Sequence, residues 1–313
     1  MANVIVLAER ADGALTKTTL EMLTLARSIG TPVAVLTGDG ADAHAARATE
    51  FGAESIVLDS SAQSEPVGRD VDVLAAAVAH FNSSLVLVAA SAAGKETAGR
   101  LAIRTGGGVV TDAVRVNPDG GVVQPIFGGA MTVTTHVKGV AVVAIRPSSI
   151  AAEPSAGAGT IVTLDVPTSE RRRARITATV PGQRSTRPDL AAADVVVSGG
   201  RGMGSADGFA LVEQLADTLK GAVGASRAAT DAGWYPHRFQ VGQTGTTVSP
   251  QLYLALGISG AIQHRAGMQT AKTVVVINKD REAPLFELAD FGIVGDVSTI
   301  VPALIAEITR RRA

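Results

Sequence analysis

A chain of 313 residues exceeds what one hydrophobic core ordinarily organises, so two domains are expected. With 46% hydrophobic residues, 34 glycines, 3% aromatics and no cysteine, the composition fits an Ala/Val/Gly-rich α/β protein and excludes disulfides, thiolate metal sites, iron–sulfur clusters and cysteine nucleophiles. A formal net charge of -1 gives no reason to expect nucleic acid or an anionic membrane as partner, so any anion must be held locally.

The first residues, Met1 to Arg10, carry no basic run, and no apolar stretch approaches the roughly 18 residues of a membrane span, which together predict a cytoplasmic protein. Asn3–Ala8 reads as a β-strand, followed by a helix over Thr16–Ile29 with Leu20, Leu23 and Ala26 on one face. Val33–Leu36, Ala41–Phe51, Ser55–Leu58, Val71–Phe81, Leu85–Ala89 and Glu96–Thr105 then alternate strand with helix. Such alternation implies a parallel sheet covered on both faces. The loop Ala90–Glu96 imitates a phosphate loop without its spacing and is expected to turn the chain into a helix.

From Gly106 the texture changes. Ala113–Val116, Val122–Phe127, Thr132–His136 and Val140–Ile145 read as added, antiparallel strands, and Pro147–Gly159 as an exposed connection. The cluster Arg171, Arg172, Arg173 and Arg175 fits a solvated strand or subunit contact better than a phosphate patch. A second α/β unit begins near Asp189. It contains a strand at Asp194–Ser198, a glycine-rich turn at Gly199–Gly204, a helix at Phe209–Lys220, short strands near Gln240–Val241, Tyr253–Leu256, Thr273–Ile277 and Ile293–Val294, and a final helix at Val297–Thr309. The expected division is 1–185 and 186–313: two Rossmann-like α/β domains, parallel-sheet layers with added strands in the first.

In the second domain, polar residues gather where an open α/β sheet binds ligands, at the carboxyl ends of strands. The Gly199–Gly204 turn lets backbone N–H groups approach a phosphate, with Arg201 as a bidentate clamp, although a tight turn alone explains its glycines equally well. Arg227, after Ser226, is a candidate ligand cation or the partner of Asp231 four residues on. The segment Gln240–Thr246 is dense in small polar groups that suit a neutral heterocycle, with Thr244 the favoured hydroxyl donor. A second strand-to-glycine-to-helix junction, Leu252–Gly267, places His264 at a helix start, where a protonatable donor meets developing negative charge. His44, His80 and His136 read as structural, and His237 as a loop residue. There is no triad, carboxylate pair or metal-ligand set, hence no catalytic residues and no metal site are expected.

The run Leu252-Tyr253-Leu254-Ala255-Leu256-Gly257-Ile258-Ser259-Gly260-Ala261-Ile262-Gln263-His264 through Gly267, followed by Val276-Ile277-Asn278-Lys279-Asp280, closely resembles the C-terminal signature of electron-transfer flavoprotein α subunits. Ser198–Gly202, Gly224–Gly233, Val241–Gly245 and Ala283–Asp296 resemble the same family in the same order. The first domain resembles it in layout and opening strand only. The resemblance implies an FAD-binding second domain and an electron carrier without substrate chemistry of its own. It also implies a β-subunit partner, with the first domain at that interface. Flavoprotein dehydrogenases such as the acyl-CoA dehydrogenases of fatty acid β-oxidation would be the donors, and a membrane quinone oxidoreductase the acceptor. By the same resemblance Arg201 and Gly202 would lie at the pyrophosphate. Ser226 and Arg227 would lie against the isoalloxazine ring. Gln243 and Thr244 would hydrogen-bond around its N5 edge. Ser259, Gly260, Gln263 and His264 would hold the ribityl and pyrophosphate part, with His264 at O2. Asn278 and Asp296 would face the adenosine end, and Gln240, Val241, Gly242, Gly257, Ile258, Ala261, Lys279, Asp280 and Val297 would also bind the cofactor. Arg227 and His264 would then stabilise the charge that reduction places on the ring. Family members often carry lysine where Gly204 stands. The alternative, an α/β oxidoreductase using a nicotinamide cofactor, needs a G-x-G-x-x-G followed by an acidic ribose ligand, which the sequence lacks.

Overall fold

The computed structural model describes residues 2–11, 13–61, 65–129, 131–167, 173–179 and 186–312. The chain forms two compact units, Met1–Pro181 and Gly182–Ala313. The expected division at 185/186 falls beside residues 180–185, which lie outside the described ones.

In the first unit a seven-stranded parallel sheet runs from Thr160–Val162 through Ser55–Asp59, Thr31–Thr37, Asn3–Leu7, Leu85–Ala89 and Ala141–Ile145 to Gly108–Ala113. The inner strands are near-continuous Val, Ile and Leu because both faces are covered. Val4, Val6 and Leu36 pack with Leu23 and Met22 on one face, while Ile5, Val33 and Val35 pack with Leu74 and Leu101 on the other. Two helix starts are fixed by hydroxyl caps. Thr16 accepts from the Thr19 amide ahead of the helix Lys17–Ile29, and Ser91 accepts from the Gly94 amide ahead of Ala92–Thr105. Ser91 also donates to Glu9 at 2.5 Å, so the Ala90–Glu96 loop starts a helix, as its spacing predicts.

Of the strands expected after Gly106, Arg115–Val116, Val122–Ile126 and Met131–Thr135 form a separate antiparallel sheet. Ala141–Ile145 is instead parallel and inserts between Leu85–Ala89 and Gly108–Ala113, a correction to the expected antiparallel addition. Gly108–Ala113 escaped the sequence reading because Gly106, Gly107 and Gly108 suggest a loop. Of the arginine cluster, Arg171 and Arg172 lie outside the described residues. Arg173 pairs internally with Glu65 and Asp72, both at 2.9 Å. Arg104 also pairs with Asp72, whose side chain is only 2% exposed. Burial pushes the Asp72 carboxyl up, but hydrogen bonds from Arg173 and Arg104 outweigh it and hold the group below the usual carboxylate range. Asp72→Ala removes a buried carboxylate that ties Arg173 to Arg104, while Arg173 keeps Glu65 and Arg104 stays exposed, and should destabilise this unit by about 2 kcal/mol in urea unfolding. A loss below about 1 kcal/mol would show the pairs to be solvent-screened.

The second unit is a five-stranded parallel sheet in the order Ala222–Ala225, Val195–Gly199, Leu252–Leu256, Val274–Asn278 and Phe291–Val294. The helices Phe209–Leu219 and Val297–Arg312 cover one face through Phe209, Val212, Leu215, Val297 and Val301. Tyr253, Ala255, Val241, Ile258 and Leu285 fill the other. Gln240–Val241, expected as a strand, contributes only isolated bridges, Ala225 to Gln240 and Val241 to Thr246. Its glycines and short polar residues leave too little ladder to extend. Both units are thus Rossmann-like. Among the described residues no helix is long and apolar enough to cross a membrane.

Candidate functional site

All five strands of the second sheet are parallel, so their carboxyl ends point to one edge, and the loops that leave them line a cavity of about 710 Å³. Arg201 and Gly202 follow the strand Val195–Gly199, and Ser226, Arg227, Ala228 and Asp231 follow Ala222–Ala225. Gly257, Ile258, Ser259, Ala261, Gln263 and His264 follow Leu252–Leu256, and Asn278, Lys279 and Asp280 close Val274–Asn278. Gln240, Val241, Gly242, Gln243 and Thr244 complete the wall. Its charged side chains are Arg201, Arg227 and Lys279 against Asp231 and Asp280.

Of the two readings left open for the Gly199–Gly204 glycines, the tight turn is the one that the backbone supports. In the Gly199–Gly204 turn the amides of Gly200, Gly202, Met203 and Gly204 donate to the carbonyls of Leu256, Gly257, Gly200 and Arg201, which leaves these N–H groups unavailable to a phosphate. The turn needs glycine for close packing. A Cβ on Gly200 would stand 2.3 Å from the Gly257 carbonyl oxygen, and one on Gly202 2.6 Å from the Gly257 Cα. Gly267 meets Gly242 in the same way, at 2.4 Å. The unfilled donors lie at the second junction: among the described residues Ile258, Ser259, Gly260 and Ala261 donate to no backbone carbonyl, and Ile262 opens the helix Ile262–Arg265. Four successive free amides ahead of a helix start are the chemistry that receives a phosphate or pyrophosphate.

Around the rest of the wall, hydroxyl and amide groups are held by one another. Ser226 is buried and its oxygen caps the helix Arg227–Asp231, so its own hydrogen is left to donate. Gln240, also buried, is 3.0 Å from both the Thr230 and the Thr244 hydroxyls, which fixes Thr244 at the rim. Arg227 is ion-paired with Asp231 at 3.2 Å, with side chains 65% and 54% exposed. Its salt-bridge reading and its place on the cavity wall therefore hold together.

His264 is buried against Tyr253, whose hydroxyl lies 2.9 Å from Nε2. Burial pushes the imidazole down to about 4, partly opposed by the backbone carbonyl of Val241. At neutral pH the ring is uncharged, so it can meet negative charge as a neutral donor. Among the described residues Nδ1 has no partner within hydrogen-bonding geometry.

Three expected residues stand apart from the cavity wall. Gly260 takes φ +90°, and a Cβ there would stand 2.5 Å from the Leu285 amide nitrogen; it shapes the loop. Asp296 is fully exposed and accepts from the Ser298 amide and hydroxyl at 2.8 and 2.6 Å, capping the last helix. Val297 is a core residue. Asn278 lines the cavity, yet its side chain is spent on the protein: the amide donates to the Ile258 carbonyl at 3.0 Å and the oxygen accepts from the Asp280 amide at 3.1 Å. It ties the strand end to the free-amide loop. Sequence reasoning missed Tyr253, because an aromatic in an apolar strand gives no sign that its hydroxyl reaches a histidine eleven residues on.

The set suits a flavin dinucleotide: free amides and cations for the diphosphate, hydroxyls and an imidazole for a polar ring edge, and an orphaned buried nitrogen on that wall. Comparison with known proteins agrees. Residues 189–269 match the family described as electron transfer flavoprotein FAD-binding domain, and residues 4–169 match the electron transfer flavoprotein domain. The chain is 51% identical over 322 residues to the electron transfer flavoprotein subunit alpha of Mycobacterium tuberculosis, and 49% identical over 320 residues to that of Mycobacterium leprae, covering 100% of both chains each time. The corresponding subunit of Syntrophomonas wolfei is 40% identical over 317 residues, covering 99% of this chain and all of the other. With both units matched in order and full-length relatives at this identity, the chain belongs to the electron-transfer flavoprotein α-subunit family.

Proposed function

We propose that this chain binds FAD in the cavity of its second unit, pairs with a β subunit, and carries electrons from flavoprotein dehydrogenases, such as acyl-CoA dehydrogenases, to a membrane quinone oxidoreductase. The observation that carries the reading is the free amides of Ile258, Ser259 and Ala261, set in one cavity with Arg227, Thr244 and His264. FAD, when bound, supplies the one-electron chemistry, and the chain supplies position and field. The amides of Ile258, Ser259 and Ala261 hold the diphosphate on a loop that Gly260 shapes, with Arg201 and Lys279 adding charge. Ser226 and Thr244 offer hydroxyl hydrogens to the ring edge. The Arg227 guanidinium favours negative charge on the ring, and the neutral His264 does so without itself adding a full charge. The adenosine end would fall near Asn278, Lys279 and Asp280, and the first unit would meet the β subunit.

Co-expression with the β subunit should give a 1:1 complex whose visible absorption spectrum is that of bound flavin, regained on adding FAD after its removal. A colourless complex that takes up no FAD would refute the reading. Arg227→Ala should cost under about 0.5 kcal/mol of stability, because its ion pair is exposed. FAD affinity should fall roughly tenfold, a charge-assisted contact being lost. Unchanged affinity and unchanged reduction potential together would remove Arg227 from the site.

A further inference from the structure

Behind the cavity wall, away from any position a ligand reaches, lies a buried polar contact that the proposed electron-carrier role does not account for. Tyr253 is completely buried among Val196, Ala222, Val241 and Ala255, and a tyrosine placed there for packing alone would be better replaced by phenylalanine. Its hydroxyl reaches one partner within hydrogen-bonding geometry, Nε2 of His264 at 2.9 Å. Ser198, fully buried on the neighbouring strand, is near enough to influence the phenol, but its oxygen makes no hydrogen bond.

The direction of the Tyr253–His264 bond follows from what each atom offers. A buried phenol has a single hydrogen, and leaving it unpaired costs more than leaving a lone pair unpaired on its oxygen. If Nε2 carried the imidazole hydrogen and donated, the phenol hydrogen would be left with the Ser198 oxygen, which lies outside hydrogen-bonding geometry. If the phenol donates, its hydrogen is paired with Nε2 and the imidazole hydrogen moves to Nδ1, the nitrogen that no protein atom pairs among the described residues and that is left to a ligand in the cavity. The Val241 carbonyl favours a hydrogen on the imidazole, and Val241 lines the cavity. Burial also raises the phenol's pKa, so it keeps its hydrogen at any physiological pH.

We propose that Tyr253 is a positioning residue for the cofactor site: by donating its hydroxyl hydrogen to Nε2 it holds the His264 ring in one orientation and in the Nδ1–H tautomer. The inference rests on the FAD reading for its purpose and on the Tyr253–His264 geometry for its content. The wall thereby presents a neutral imidazole whose hydrogen is fixed before any ligand arrives, which removes a rearrangement from binding.

The test uses the full chain co-expressed with its β subunit and labelled with 15N-histidine. In the wild-type protein without FAD, the long-range 1H–15N spectrum should show the His264 signal, identified by its loss in His264→Gln, with hydrogen on Nδ1 and none on Nε2. Hydrogen on Nε2 overturns the inference, whether or not FAD binds. Binding is then measured in a double-mutant cycle. Tyr253→Phe should weaken FAD roughly threefold to tenfold in the wild-type background and less than twofold in the His264→Ala background, because the hydroxyl acts only through the imidazole. An equal loss in both backgrounds would make Tyr253 a packing residue and overturn the proposal. Should Tyr253→Phe fail to fold, the wild-type tautomer decides. A wild-type complex that binds no FAD sinks the electron-carrier reading, while the tautomer still judges Tyr253.

Discussion

Gly257→Ala is expected to cost about 3 kcal/mol of stability and to reduce FAD binding at least tenfold. The backbone at Gly257 has φ +62°, where a side chain is strained, and a Cβ there would stand 2.7 Å from the Gly202 Cα and 2.9 Å from its carbonyl carbon. Both neighbours are backbone, so no side chain can turn aside. The two loops must part, and the free-amide run Ile258–Ala261 moves with the residue that precedes it. Gly204→Ala is the informative contrast. Gly204 also has positive φ, at +81°, but a Cβ there meets nothing within 4 Å, so only backbone strain of about 1 kcal/mol is expected and FAD should bind normally. Urea unfolding of the two variants with an FAD titration separates the cases. Equal effects would show that loop-to-loop contact does not shape the cavity.

The second large effect is a loss of stability on acidification that depends on His264. In the unfolded chain its imidazole takes up a proton near 6.5, whereas in the folded chain burial delays this to about 4. Between those values the unfolded state binds more protons. Stability contributed by the neutral ring is therefore complete above about pH 7 and declines as pH falls from 6.5 towards 4, by about 3 kcal/mol in all. His264→Gln cannot titrate, so its unfolding free energy should vary less with pH across that window. Parallel pH dependences in the two proteins would mean that the histidine charges without unfolding anything.

The alternation of strand and helix was legible in sequence because fully buried strands are apolar runs that no surface strand imitates. The runs Asn3–Leu7, Thr31–Thr37 and Leu85–Ala89 stand at the centre of the first sheet for that reason. Which strand lies beside which was not legible. Ala141–Ile145 reads alike whether it pairs parallel or antiparallel, and its insertion beside Gly108–Ala113 is set by the crossover path. At the site, residue types marked the correct loops, but not the use of each atom. Gly-Gly-Arg-Gly looks like a phosphate turn, yet its amides are consumed by the neighbouring loop, while the less conspicuous Ile-Ser-Gly-Ala run keeps its own free. Asn278 and Asp296 enter as cofactor contacts through the family resemblance alone; their polar atoms close a local turn and a helix cap, a use no spacing rule distinguishes.

Amides left waiting at Ile258–Ala261 also make melting temperature a reporter of loading. A ligand that binds only the native state adds stability as the logarithm of its free concentration, about 2.7 kcal/mol at a hundredfold excess over Kd. A preparation that lost part of its flavin during purification would then show two calorimetric peaks, and their ratio would measure occupancy without any assay of electron flow.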